Sequence, residues 1–152
     1  QRWRKRYPLS FVAYCLMPNH YHLLIEPLED DVVSPFMKHV FQSYVQAINA
    51  QEQRDGPLFR GRYAGVWVDE EPYFRHVARY IHVNPVDAGL VASPDMWRYS
   101  NYRDVIGLRH GTLVSSELVP GRFPTAEAYR CFVEDYLEEG KEVEGLARYL
   151  LE

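Results

Sequence analysis

Alternating apolar and polar residues near the start of the chain predict a β-hairpin. The segments LSFVAYCLM (residues 9–17) and YHLLIEP (residues 21–27) are rich in the aliphatic and aromatic side chains typical of strands. Pro18 and Asn19 stand between these segments, and this dipeptide indicates a tight reversal. A later run, YAGVWVD (residues 63–69), predicts a third strand.

Between the hairpin and the third strand, apolar residues recur at helical spacing. The pattern predicts a long amphipathic helix over residues 34–53. Ser34 is the predicted N-cap, and Pro35 is placed at the first helical position, where its missing N–H costs nothing. The Gly- and Pro-containing stretch that follows is predicted to be a loop.

A second helix is predicted after the third strand, with Asp69 as its cap. It is expected to end near Asn84, because Pro85 disfavours helical backbone in the residue before it. Tyr80 and Asn84 lie on one edge of the apolar stripe, at the boundary between core and water. The apolar stripe consists of Phe74, Val77, Ala78 and Ile81. The side chains expected at the surface of this helix are Arg75, Arg79 and His82.

The rest of the chain is predicted to be mostly helical. An irregular connector with short helical potential occupies residues 92–111, an amphipathic helix closed by Gly140 occupies residues 125–140, and a short helix follows over residues 141–152. A strand pair followed by helices predicts an α+β fold with the helices packed on one side of the sheet.

Composition restricts the class of protein. The chain has 152 residues, 47% of them hydrophobic and 25% charged, which are values typical of one globular domain. Two distant cysteines make no disulfide framework and no metal-binding pair, which favours a reducing cytoplasm. We expect no membrane span and no leader segment, because no apolar stretch approaches the roughly 20 residues that a span requires.

Charge is unevenly distributed along the chain. Residues 1–122 carry 14 basic against 13 acidic side chains, whereas residues 123–152 carry 3 against 8, so the net charge of −4 arises in the tail. Two basic clusters, RWRKR (residues 2–6) and RGR (residues 60–62), stand beside aromatic residues, a combination typical of surfaces that bind single-stranded nucleic acid. Two solvated basic turns explain the same pattern equally well.

The spacing of His20 and His22 indicates a candidate metal site. Alternate residues of a strand point the same way, so the two imidazoles project side by side. Tyr80 is the candidate nucleophile, and Asn84, one turn later, can bring an amide oxygen to the same ion. Taken singly, the same residues also fit a half-buried strand histidine, a boundary tyrosine and a helix-end asparagine. Weaker candidate ligands are Cys15, for which a core position is favoured, and Glu26.

Three segments together resemble the IS200-like transposases, and especially the REP-associated tyrosine transposases. These segments are AYCLMPNHYHLLIEP, LFRGRYAGVWVDEEPYFRHVARYIHVNPVDAGLV and WRYSNYRDVIGL, in that order. The resemblance covers roughly residues 11–108. It divides the chain into a catalytic domain over residues 1–108 and a C-terminal helical extension over residues 109–152.

The resemblance implies an HUH single-strand DNA endonuclease on a ferredoxin-like antiparallel sheet. His20 and His22 are then metal ligands for Mg²⁺ or Mn²⁺, and Tyr80 attacks a phosphodiester to give a 5′-phosphotyrosine link. Asn84 stands where insertion-sequence relatives have a glutamine ligand. The implied partner is single-stranded or hairpin DNA, and a homodimer is an open alternative to a monomer. The residues expected to bind DNA are Arg2, Arg4, Lys5, Arg6, Arg60 and Arg62.

Two departures from the family pattern leave alternatives open. Relatives usually begin with a strand and most of a helix before the segment that matches residues 6–18, so we expect the sheet to lack its first strand. The acidic tail is the second departure. A DNA-hairpin-binding protein without catalytic turnover is therefore the main alternative, and a metal-binding structural domain is a third reading.

Overall fold

A computed structural model describes residues 6–113, residues 121–139 and Tyr149. The described elements include two strands, β1 (Leu9–Leu16) and β2 (Tyr21–Pro27), and the α-helices α1 (Val33–Gln51), α2 (Glu71–Asp87), α3 (Tyr102–Val105) and α4 (Ala126–Glu139). A short 3-10 helix (Pro94–Met96) precedes α3. The α+β class predicted from the sequence is confirmed. Within this part of the chain, no helix has the length and apolarity needed to cross a membrane.

The chain separates into two compact units. The first unit comprises residues 1–9 and 27–65, and the second comprises residues 10–26 and 66–152. The first unit contains α1, and the second contains most of the hairpin together with α2, α3 and α4. The predicted boundary between residues 108 and 109 stays a prediction.

The predicted hairpin is confirmed, and it forms a two-stranded antiparallel sheet in the described residues. At its turn, the Met17 amide donates to the His20 carbonyl at 2.9 Å, so Pro18 and Asn19 make the reversal. Ser100 forms an isolated antiparallel bridge with Cys15, on the edge of β1 opposite β2. This bridge joins the connector before α3 to the sheet.

The prediction of a third strand over residues 63–69 is wrong. This segment has no regular secondary structure, and Trp67 is 72% exposed. An extended sequence becomes a strand only when its backbone N–H and C=O groups pair with a neighbour. Local β-propensity therefore does not supply the partner that a strand requires.

Helix α1 is present as predicted, but its start differs. Its N-cap is Val32, so the predicted capping role of Ser34 is wrong, and Pro35 lies at the third helical position rather than the first. The Ser34 hydroxyl instead hydrogen-bonds the Tyr63 hydroxyl at 2.8 Å. Proline is tolerated at the third position because the N–H groups of the first turn have no partner within the helix.

Helix α2 differs from the prediction at both ends. Its N-cap is Glu70, so Asp69 is not the cap, and the Asp69 carboxylate accepts a hydrogen bond from the Tyr149 hydroxyl at 2.6 Å. The predicted end near Asn84 is wrong as well, since Pro85 lies inside the helix. Pro85 is fully buried, and this packing offsets the backbone hydrogen bond that proline cannot donate.

The core of the second unit packs α2 and α4 with the hairpin. Helix α4 matches the prediction for residues 125–140 within a residue at its start, while Gly140 lies outside the described residues. The short helix predicted over residues 141–152 also lies outside them, except for Tyr149, whose ring contacts Tyr73 at 5.1 Å between centroids. The fully buried apolar side chains of this core include Val12, Ala13, Ala78, Val83, Tyr129 and Val133.

Candidate active site

The hairpin turn brings two imidazole rings together. The Nε2 atoms of His20 and His22 lie 3.1 Å apart, and their rings are nearly perpendicular with centroids at 4.8 Å. The Asn19 Oδ1 atom lies 2.7 Å from the His20 Nδ1 atom and accepts the hydrogen of that nitrogen. His20 therefore presents an unprotonated Nε2 atom toward His22, since the neutral imidazole carries a single N–H.

Helix α2 places Tyr80 beside these histidines. The rings of His22 and Tyr80 meet edge to face, with 5.5 Å between centroids and 81° between planes. Both side chains are half-buried, whereas His20 is exposed, so the three rings lead from the core boundary to solvent. All three belong to one unit of one chain, and their assembly requires no second copy. The homodimer stays a prediction.

The pair of histidines fits a divalent cation. Two imidazole nitrogens bound at about 2.1 Å, with an angle of about 90–110° between them, lie about 3.0–3.4 Å apart, and the observed separation is 3.1 Å. In the described ranges, no group of three or more His, Cys, Asp or Glu side chains can hold a metal ion. Further ligands must therefore come from other groups, such as an amide, water or substrate oxygens.

Asn84 lies one helical turn after Tyr80 and is half-buried. Because α2 continues through Pro85, Asn84 has helical surroundings on both sides, and its carbonyl accepts the Ala88 amide at 2.9 Å. Asn84 is thus on the same helix edge as Tyr80, as the spacing predicts. Its role as a ligand stays a prediction.

The two weaker candidate ligands have other partners. Cys15 is fully buried with its Sγ atom 3.6 Å from the Met17 Sδ atom, and burial raises the pKa of its thiol to about 12. Since a thiolate is the form that binds metal, Cys15 is a core residue. Glu26 forms an ion pair with Arg122 at 4.0 Å.

The basic clusters belong to the first unit. Arg6, Arg60 and Arg62 are exposed, and the Arg6 guanidinium lies 5.8 Å from the Tyr7 ring centroid. Phe59, beside the second cluster, packs its ring against Phe41 of α1. The predicted DNA contacts of these residues stay predictions, and those of Arg2, Arg4 and Lys5 fall on residues outside the described ones.

Two side chains of α2 that were expected at the surface are buried. The Arg79 guanidinium lies 4.4 Å from the ring centroids of both Phe132 and Tyr136 of α4. His82 is fully buried, with its Nδ1 atom 2.6 Å from the Tyr129 hydroxyl. The predictions for Arg79 and His82 are wrong because α4 packs on this side of α2 and excludes water from it.

Sequence reasoning thus missed a buried polar cluster one helical edge away from Tyr80. Desolvation lowers the pKa of His82 to about 4, although its bond to Asn101 and the charge of Asp104 partly oppose this effect. Burial also raises the pKa of Tyr129 well above its ordinary value. The sequence signal that could have revealed this cluster is the width of the apolar stripe of α2, because a helix that is covered on two sides buries more than one edge.

The fold and this site define a class. Residues 1–84 match the family model described as "Transposase IS200 like", which covers more than half of the chain, so the chain belongs to that family.

Two further comparisons show one protein that is similar in sequence and one solved structure that is similar in fold. A Haemophilus influenzae protein described as a REP-associated tyrosine transposase is 27% identical over 112 residues, which cover 66% of this chain and 64% of that protein. The chain thus spans about two thirds of the length of this curated relative. The fold is similar to the solved structure of a REP-associated tyrosine transposase bound to a REP hairpin, with a TM-score of 0.63, 17% identity, and 75% of this chain and 73% of that chain covered.

Proposed function

We propose that this protein cleaves and rejoins single-stranded DNA through a covalent link to Tyr80, in a reaction that depends on a divalent cation. The observation that supports this most directly is the contact between Tyr80 and His22, whose Nε2 atom lies 3.1 Å from that of His20. The candidate nucleophile and the two candidate metal ligands come from distant parts of the sequence and adjoin each other in one chain. Membership of the transposase family makes DNA the natural substrate.

The proposed cleavage conserves atoms and charge. The Tyr80 hydroxyl oxygen forms a bond to the phosphorus, the bond from phosphorus to the 3′ oxygen breaks, and the phenolic proton is balanced by the proton that the 3′ oxygen gains. The products are a 5′-phosphotyrosine link and a free 3′-hydroxyl. Attack by a 3′-hydroxyl reverses these steps and joins two strands, so the energy of the phosphodiester is kept in the covalent link.

A phenol is mostly protonated at neutral pH and is a weak nucleophile without assistance. His20 and His22 would hold the cation, with Asn84 as a candidate third ligand. A divalent cation bound there supplies Lewis-acid polarisation of the scissile phosphate. Asn19 keeps the His20 Nε2 atom free for such binding by accepting the Nδ1 hydrogen. Of Mg²⁺ and Mn²⁺, an imidazole pair favours Mn²⁺, because Mg²⁺ prefers oxygen ligands.

The proposed substrate is a DNA hairpin with a single-stranded flank. The solved relative is described as bound to a REP hairpin, which supports a hairpin partner for this chain. The exposed Arg6, Arg60 and Arg62 are suited to phosphate contacts, and Arg2, Arg4 and Lys5 extend the first basic cluster along the sequence. The protein would act in the cytoplasm.

Covalent trapping tests the proposal. Labelled hairpin oligonucleotides with single-stranded flanks are mixed with the protein and Mn²⁺, and adducts are separated under denaturing conditions. The wild type is expected to form an adduct that Tyr80→Phe does not form. Tyr73→Phe is the matched control, because Tyr73 lies seven residues earlier on the same helix edge and its ring contacts Tyr149.

Each outcome separates the candidate functions. An adduct that persists in Tyr80→Phe contradicts the assignment of the nucleophile. Hairpin binding without an adduct, over a broad oligonucleotide library, supports the DNA-hairpin-binding protein without turnover. Tight Mn²⁺ retention without affinity for any oligonucleotide supports the metal-binding structural domain.

A further inference from the structure

A buried chain of polar side chains joins α4, α2 and β1. The Tyr129 hydroxyl of α4 contacts the His82 Nδ1 atom at 2.6 Å, and the His82 Nε2 atom contacts the Asn101 Oδ1 atom at 3.0 Å. Asn101 then makes three bonds to β1: its Oδ1 atom accepts the Tyr14 amide at 2.6 Å, its Nδ2 atom donates to the Val12 carbonyl at 2.9 Å, and its own amide donates to the Tyr14 carbonyl at 3.3 Å. His82 and Asn101 are both fully buried.

The donors and acceptors of this chain match in one arrangement. Because the Asn101 Oδ1 atom can only accept, His82 must donate to it from Nε2. The Nδ1 atom of a neutral His82 is then an acceptor, and the Tyr129 hydroxyl donates to it. The polar atoms named here are thus all satisfied, which a buried network requires if it is to stabilise one geometry.

The buried chain of polar side chains connects the two halves of the candidate active site. His82 lies two residues after Tyr80 in α2. Asn101 bonds to β1, which ends a few residues before His20 and His22 of the hairpin. Apolar packing between α2 and the hairpin is non-directional and permits small shifts, whereas hydrogen bonds fix both distance and angle. The side-chain amide of Asn101 therefore fixes the position of α2 relative to the hairpin of β1 and β2.

We propose that Asn101 is a positioning residue for the Tyr80 reaction, that it acts through His82, and that Tyr129 orients the His82 ring. This inference rests on the proposed function for its catalytic consequence, but its geometric part concerns only where Tyr80 lies relative to His22. Misplacement of a reacting group by about 1 Å can lower a rate about a hundredfold. Loss of the His82–Asn101 bond is therefore expected to slow the covalent step more than it weakens DNA binding.

Two substitutions of one residue test these contacts. His82→Gln offers an amide N–H that can donate to Asn101 and a carbonyl oxygen that can accept from Tyr129, whereas His82→Leu fills similar space with neither group. Val133→Ala, which creates a cavity in fully buried α4 packing and removes no hydrogen-bonding group, controls for loss of stability. Tyr129→Phe is a milder variant that removes one hydroxyl and keeps the ring.

Two readouts are measured on the full chain. One is the rate of adduct formation at saturating hairpin oligonucleotide, with the Kd of that oligonucleotide measured separately. The other is the NMR shift of the His22 ring protons, which depends on the neighbouring Tyr80 ring and is calibrated with Tyr80→Leu. We expect His82→Leu to lower the rate about tenfold to a hundredfold at little change in Kd, and to move the His22 shift toward that of Tyr80→Leu. His82→Gln and Val133→Ala are expected to stay closer to the wild type, and Tyr129→Phe is expected to lie between Val133→Ala and His82→Leu.

The outcomes decide both claims separately. If His82→Leu leaves the His22 shift at its wild-type position, or lowers the rate no more than Val133→Ala does, the positioning role is overturned. If the wild type forms no adduct while His82→Leu still moves the His22 shift, the proposed reaction fails and the positioning geometry stands. Should His82→Leu fail to fold, the shift of Tyr129→Phe relative to Val133→Ala decides the question.

Discussion

The rings of Tyr80 and His22 meet edge to face with 5.5 Å between centroids, although 57 residues separate them in the chain. The hairpin contributes His22, and α2 contributes Tyr80. The interface between these two elements, rather than either element alone, therefore determines whether the candidate nucleophile lies beside the two candidate metal-binding histidines.

Removal of one imidazole should weaken metal binding. We expect His22→Ala to lower the affinity for Mn²⁺ at least about tenfold, because one remaining imidazole cannot chelate the ion. Electron paramagnetic resonance of free Mn²⁺ in a titration measures this effect. His110→Ala, at an exposed position, is the control and should bind Mn²⁺ as the wild type does. Equal affinities in all three proteins would exclude a metal site at the hairpin turn.

The contact between Asn19 and His20 should matter for metal binding as well. Asn19→Ala removes the acceptor of the His20 Nδ1 hydrogen, so the ring loses its fixed tautomer and orientation. We expect about a tenfold loss of Mn²⁺ affinity with the fold intact, measured in the same titration. Asn19→Asp restores an acceptor and should restore affinity. If Asn19→Ala binds Mn²⁺ normally, this contact does not orient the ligand.

The buried His82 should make stability depend on pH. Burial lowers its pKa from about 6.5 to about 4, so the unfolded chain takes up a proton that the folded chain resists. The contribution of His82 to the free energy of unfolding is therefore fully present above about pH 6.5. It falls as the pH drops toward 4, by an amount on the order of 3 kcal/mol. Urea unfolding at several pH values measures this slope. His82→Gln should flatten the slope relative to the wild type, whereas His110→Gln should not; parallel slopes for all three would contradict the assignment.

The buried guanidinium of Arg79 should contribute to stability. Arg79→Met keeps much of the side-chain volume but loses the cation that lies over the rings of Phe132 and Tyr136. We expect the free energy of unfolding to fall by about 2 kcal/mol. Arg75→Met is the matched control, since Arg75 is exposed and lies 5.5 Å from the Phe123 ring centroid, and it should change stability by less than about 1 kcal/mol. Similar losses of stability in both variants would argue against a stabilising contact between the Arg79 guanidinium and the two rings.

The two cysteines should react at different rates. Cys131 is exposed, while Cys15 is fully buried with a pKa raised to about 12 by burial. Since the thiolate is the reactive form, a thiol reagent at pH 8 should label Cys131 rapidly and Cys15 only after unfolding. Mass spectrometry of digested protein locates the label. Rapid labelling of Cys15 in the folded protein would show that the hairpin opens readily, and Cys131→Ser should leave a protein without fast reaction.

Local sequence determined much of this protein. The alternating run before Pro18 and Asn19 encodes the hairpin, and helical periodicity encodes α1, α2 and α4, because period and turn chemistry are properties of neighbouring residues. The proximity of His20 and His22 was predicted from the alternation of side chains along an extended chain, and the structure places His20 at the hairpin turn, directly before β2. The position of Tyr80 at the edge of the α2 stripe was equally readable from the sequence.

Only the tertiary structure decided the remaining features. A helix continued through Pro85 because that residue is buried, and residues 63–69 stayed irregular because no strand pairs with them in the described part of the chain. Arg79 and His82 became interior residues because α4 covers their side of α2. Each of these outcomes depends on what packs against a segment from far along the chain, and periodicity within the segment contains no record of that partner.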